Sequence, residues 1–79
     1  MDDWRERIEI NPEVMLGKPV IIGTRITVEQ ILRKLAAGMT EEEIIRDYPR
    51  LKPEDIKAAL AYASDAVGSE DILLASGPR

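Results

Sequence analysis

The 79-residue chain contains no cysteine, no histidine and no phenylalanine, and only one tryptophan and two tyrosines. Without Cys or His there are no disulfides, no ordinary zinc site, no thiol nucleophile and no Ser/His or Cys/His catalytic pair. Carboxylates, Lys and Tyr are what remain for chemistry, and so few aromatic rings leave little to line an apolar substrate pocket. A non-enzymatic binding protein is therefore expected, with no cofactor, no metal and no small-molecule substrate. No apolar run approaches the roughly 18 residues of a membrane span, and the acidic start is unlike a signal peptide, so a cytoplasmic protein without membrane contact is expected.

What the chain does have is 44% hydrophobic and 33% charged residues, the balance of one small globular domain. A domain of this size buries only about 60 to 65% of the surface of its unfolded chain, so its stability should be modest, and dimerisation would help it. The formal net charge of −4 speaks against a dedicated nucleic-acid binder, because counterion release needs a patch of Lys and Arg.

The alternation Arg7, Ile8, Glu9, Ile10 predicts a short strand. Asn11 and Pro12 are an N-cap and a first helical residue for a single helical turn over 11–16, broken by Gly17. Lys18 to Gly23, with three β-branched residues in a row, predicts a second strand whose neighbours are Ile8 and Ile10. Two strands this short must pack on helices or pair with strands of another chain, and the second choice makes a homodimer.

From Thr27 the signals are helical. Thr27 with Gln30 forms a capping box, and Ile31, Leu32 and Leu35 make an apolar stripe ending near Gly38. Thr40 with Glu43 repeats the box, and Ile44, Ile45 and Tyr48 form a buried face up to Pro49. Pro53 opens a third helix, whose stripe of Ile56, Ala59, Leu60, Ala63 and Val67 runs to Gly68. The expected organisation is a β-containing arm over 1–26, three helices over 27–68, and a short tail over 69–79. Glu41, Glu42 and Glu43 suit the positive end of a helix dipole better than a metal site, since adjacent helical residues point in different directions.

The short second helix and the tight Pro49 to Lys52 connection have the proportions of a helix-turn-helix, although a plain three-helix packing fits the same outline. The segment from Arg46 to Lys57 is locally +1, and the candidate DNA contacts are Arg46, Arg50, Lys52 and Lys57, with Arg33 and Lys34 adding charge. Glu54 and Asp55 oppose phosphate there, so a dimer doubling the basic contacts is the expected rescue. Gly23 permits a tight turn, Thr24 can satisfy loop amides, and the Arg25 fork is expected to clamp this loop to an Asp or Glu of the same domain or its dimer mate. Trp4 is either a lid on the core or an interface anchor, and an interface role is expected. Ile72, Leu73 and Leu74 in the tail are expected to dock on the same chain or on a partner.

The run GKPVIIGTRITVEQILRKLAAGMTEEEIIRDYPRLKPEDIKAALAYA resembles the domain-of-unknown-function 433 family through its GTR and DYP blocks at this spacing, over about Ile8 to Ala63. The resemblance implies a mainly α, homeodomain-like three-helix fold with a short two-stranded N-terminal arm. It also implies an antitoxin of a type II toxin–antitoxin pair, often encoded beside a PIN-like ribonuclease toxin and often repressing its own operon. Gly17, Lys18, Pro19, Gly23, Thr24, Arg25, Gly38, Tyr48 and Pro49 are the family-motif positions, with largely structural roles. Lys52 departs from the family, which usually has Thr or Ser there, and forfeits a cap worth roughly 1 kcal/mol while adding a cation. In this reading Glu70 and Asp71 would enter the cationic cleft of the toxin, with Ile72 to Leu74 as apolar anchors. The rival reading is a homodimeric protein-interaction module with no DNA role.

Overall fold

A computed structural model describes residues 3–75, with side chains described up to residue 68. Two strands, β1 (Ile8–Glu9) and β2 (Val20–Ile21), precede three helices, α1 (Val28–Ala36), α2 (Glu41–Asp47) and α3 (Pro53–Ala75). The architecture is mainly α, a three-helix bundle with a small antiparallel sheet at its N-terminal side. Within that sheet Ile8 pairs with Ile21 and Glu9 with Val20. The strands find their partners inside the chain and lay Ile8 and Ile21 on a core shared with Val28, Ile31, Ile44, Leu51 and Ile56. Within the chain, helix packing supports them.

Local chemistry explains the helix boundaries. Thr27 Oγ1 accepts from the Gln30 amide at 3.0 Å while the Gln30 side chain accepts from the Thr27 amide at 2.9 Å. Thr40 and Glu43 do the same at 3.1 and 2.8 Å, so Glu43 serves as a cap partner at the start of α2. After α1 the Gly38 amide donates to Leu35 O and the Met39 amide to Lys34 O, with Gly38 at φ +96. Those two bonds are a Schellman motif, which needs the left-handed conformation that glycine adopts without steric cost.

Three segments depart from the sequence expectations. Asn11 does cap a turn, its Oδ1 accepting from the Glu13 amide at 2.9 Å, but the chain then enters left-handed backbone at Met15 and Leu16 in place of a right-handed helical turn. Helix α3 does not stop at Gly68; it continues to Ala75, so most of the expected tail is helix. A lone glycine in a helix costs only about 1 kcal/mol relative to alanine, and no proline follows until Pro78. The stripe of α3 is also turned from its expected face: Ile56 and Ala59 are fully buried together with Asp55 and Ala58, whereas Leu60 and Val67 are 46% and 52% exposed. On the buried arc the Asp55 carboxylate is met by the Arg7 guanidinium at 3.1 Å.

Lys18 Nζ reaches Glu29 Oε1 at 3.1 Å and Arg33 holds the other oxygen at 2.9 Å, fastening the chain before β2 to α1. Hydrogen bonds from Lys18 and then Arg33 hold the Glu29 carboxyl below its ordinary range. Because the folded value is lowered, this contribution is present above the ordinary carboxylate range and is lost as pH falls through the lowered value. NMR titration should find the Glu29 midpoint below that of a free glutamate, and Lys18→Met should move it back up. An ordinary midpoint in the unaltered chain would contradict the contact.

Candidate functional site

Two clefts flank the start of β1. One, of about 460 Å³, lies between the N-terminal turn and the first turns of α3, lined by Trp4, Arg7, Glu54, Lys57 and their neighbours. The other, of about 420 Å³, is lined by Glu9, Gly23, Thr24, Arg25 and Arg50. They are neighbours, since Arg7 lines the first and Glu9, two residues on, lines the second.

The second cleft is built by the loop between β2 and α1. Gly23 at φ +82 occupies the turn closed by the Thr24 amide on Ile21 O at 3.0 Å. Thr24 Oγ1 donates to the same carbonyl at 2.7 Å and accepts from the Ile26 amide at 3.0 Å, as a residue satisfying loop amides should. Arg50, from the connection between α2 and α3, donates to Gly23 O at 3.0 Å. Thr24 and Arg50 thus hold this loop, while among the described residues of the chain the Arg25 fork has no hydrogen bond and no ion pair, so the clamp expected of it to an Asp or Glu of the same domain is not seen.

The cations of the domain separate into two groups. Arg5, Arg7, Lys18, Arg33 and Lys34 are each paired with an Asp or Glu. Among the described residues Arg25, Arg46, Lys52 and Lys57 are exposed and pair with no acid. The pairing also alters the balance of the Arg46 to Lys57 segment. Lys34 reaches Asp47 at 3.9 Å and Arg7 takes Asp55, which leaves Glu54 as the acid of that segment without a cation partner among the described residues. Four cations then face one uncompensated carboxylate. Lys52 sits at the start of α3, where its own amide donates to Asp55 Oδ2 at 3.0 Å. Asp55 therefore supplies half of a capping box at a helix start where the Lys52 side chain offers no acceptor.

Of the sequence candidates, Arg50 comes beside Arg25 in one cleft and Lys57 beside Arg7 in the other, while Arg46 stands on α2 and lines neither. Arg25 is the cation expected to be held by an acid, and nothing local to residue 25 announces that the loop is instead held by Arg50 on the Gly23 carbonyl. Tyr48 and Pro49 close α2, with Tyr48 half-buried against the core and beneath the Lys34 ammonium at 5.3 Å. Gly17, Lys18 and Pro19 carry the chain into β2.

Trp4 packs as a lid within the chain. Its ring meets Tyr62 edge-on at 4.8 Å, its Nε1 donates to Asp65 at 2.7 Å, and Arg5 stacks over its outer face at 4.6 Å. The side chains of Ile72, Leu73 and Leu74 lie outside the described residues, as do those of Glu70 and Asp71. Among the described residues no helix is long and apolar enough to cross a membrane.

The family described as "Protein of unknown function (DUF433)" matches residues 8–63. An uncharacterized protein of Sinorhizobium fredii, y4eO, is 36% identical over 59 residues, 75% of this chain but 27% of that relative, so the chain spans about a quarter of its length. The crystal structure of a DUF433 member protein from Anabaena variabilis superposes with a TM-score of 0.74 at 32% identity, covering 87% of this chain and 68% of that one.

Proposed function

We propose, for a chain that belongs to the DUF433 family, an antitoxin-like, non-enzymatic role in the cytoplasm in which one surface holds operator DNA and another holds a PIN-like toxin. The observation that carries the DNA part is the set of cations that pair with no acid among the described residues, Arg25, Arg46, Lys52 and Lys57, with Arg50 beside Arg25, in a protein whose other described cations are paired with its own acids. An acidic chain can bind phosphate where its cations are locally in excess, because the backbone of DNA responds to local charge within about a Debye length of 8 Å rather than to net charge. Side chains of this kind position the protein on phosphates and do not by themselves read sequence.

The exposed Leu60 and Val67, seven residues apart on α3, support the protein-binding part. They also favour the alternative reading, an interaction module without DNA. Fluorescence anisotropy against the duplex upstream of the gene, with and without the co-purified product of the neighbouring reading frame, separates the two. With about four phosphate contacts, affinity should fall on the order of 100-fold between about 50 and 200 mM salt, and Arg25→Gln with Lys52→Gln should reduce the salt slope by about 2. Absence of binding at the lower salt, alone and in complex, would end the DNA reading; absence of a co-purifying neighbour would end the toxin reading.

A further inference from the structure

Arg25 comes from the loop between β2 and α1 and Arg50 from the connection between α2 and α3, yet both line the cleft of about 420 Å³ beside β1. Glu9 of β1 and Val14 of the segment between the strands complete its wall. Four separate parts of the chain therefore converge on one hollow, which only the packed domain can build.

The donors in this hollow are largely unused. Arg50 donates through Nη1 to Gly23 O at 3.0 Å, which anchors its guanidinium while the rest of the fork has no acceptor among the described residues. Arg25 uses none of its five N–H groups there. The backbone amides of Gly23 and Arg25 likewise donate to no acceptor among the described residues. These donors stand on a fixed turn, since the Thr24 amide and hydroxyl both hold Ile21 O and the Ile26 amide holds Thr24 Oγ1. Elsewhere in the domain Arg5, Arg7 and Arg33 each pair with an acid of the chain. Arg25 and Arg50 pair with none, although the half-buried Glu9 shares their cleft.

We propose that this cleft is a binding site for one phosphate group, held between the guanidinium groups of Arg25 and Arg50. A carboxylate presents two oxygens and is satisfied by a single fork, whereas a phosphate presents more and can be gripped by two forks that arrive from different segments. Glu9 opposes the anion and sets an upper limit on its affinity. The site goes beyond the operator reading, which asks only for a cation at Arg25, because a free phosphate ester brings the same chemistry as a phosphate of a DNA strand.

NMR on the full chain, titrated with inorganic phosphate while chloride keeps the ionic strength constant, should show saturating shifts at the Gly23 and Arg25 amides and at Nε–H of Arg25 and Arg50. Arg25→Gln alters an exposed side chain with no contact to lose and should weaken binding about tenfold. Arg25→Lys should weaken it nearly as much, because an ammonium has charge without a fork. Arg5→Gln removes the same charge outside the cleft and should change nothing, while Glu9→Gln should tighten binding. Shifts that never saturate, that survive Arg25→Gln, or that fall equally in Arg5→Gln would overturn the site and leave screening by the ion alone. A Glu9→Gln chain that binds phosphate more weakly would overturn it as well. Anisotropy of labelled duplex DNA separates the two sources: displacement by phosphate at constant ionic strength places a strand phosphate in the cleft. A duplex that is not displaced, or not bound at all, assigns the cleft to a free phosphate ester, so the operator reading can fail while this site stands.

Discussion

Ile44→Ala should lower the unfolding free energy by about 3 kcal/mol, a large share of what a domain this small possesses. Ile44 is fully buried and is the buried residue by which α2 is fastened to the bundle. A helix of seven residues has no stability of its own, because the entropic cost of nucleating it exceeds what so few backbone hydrogen bonds return. Truncating the isoleucine removes its transfer free energy and leaves a cavity in the core it shares with Ile31, Leu51 and Ile56, residues of α1, the α2–α3 connection and α3 that cannot all collapse to fill it. Helix propensity favours alanine by only a few tenths of a kcal/mol and does not offset this. Urea denaturation followed by circular dichroism should show a lower midpoint at unchanged slope. The half-buried neighbour Ile45 provides the comparison: Ile45→Ala should cost clearly less. A loss below about 1 kcal/mol for Ile44→Ala would mean that α2 is held by something other than its buried face.

Asp55→Ala is expected to cost about 2 kcal/mol, from two contacts made by one carboxylate. Oδ2 accepts from the Lys52 amide at 3.0 Å, and Oδ1 accepts from Arg7 at 3.1 Å. The cap contributes about 1 kcal/mol. The ion pair is asymmetric: the Asp55 side chain is 8% exposed and that of Arg7 34%, so once the carboxylate is gone the guanidinium can still reach water, and its loss is smaller than that of a fully buried pair. Asp55→Asn keeps an acceptor for the Lys52 amide and removes the charge, so it should cost about half as much. Equal losses for the two substitutions would assign the effect to the ion pair alone. Asp55→Asn would also free Arg7 to add to the cations around the first cleft, so in the proposed DNA-binding role its affinity should rise rather than fall.

Much of the helical framework was legible in the residues. Both capping boxes, the proline that opens α3 and the glycine that ends α1 act over three to five residues, within the reach of a short window of sequence. The turn at Gly23 and the role of Thr24 were legible for the same reason. Gly68 was misleading because glycine both ends helices and tolerates them, and only its backbone conformation distinguishes the two. The stripe on α3 misled because Leu60 and Val67 keep helical spacing with Ile56 and Ala63, and spacing alone cannot say which arc of the helix faces the core.

The amino-acid sequence by itself therefore determined where the helices begin, that two short strands precede them, and that chemistry depending on Cys or His is absent. Tertiary structure decided which charges are free. Arg7 reaches Asp55 across 48 residues, Arg50 reaches Gly23 across 27, and Trp4 reaches Asp65 across 61. Caps and turns are enthalpic contacts between neighbours that the chain cannot avoid bringing together, so composition and spacing reveal them. Long-range pairings form only when packing has already met the entropy of closing the intervening chain, and which cation wins a given carboxylate or carbonyl depends on that packed geometry.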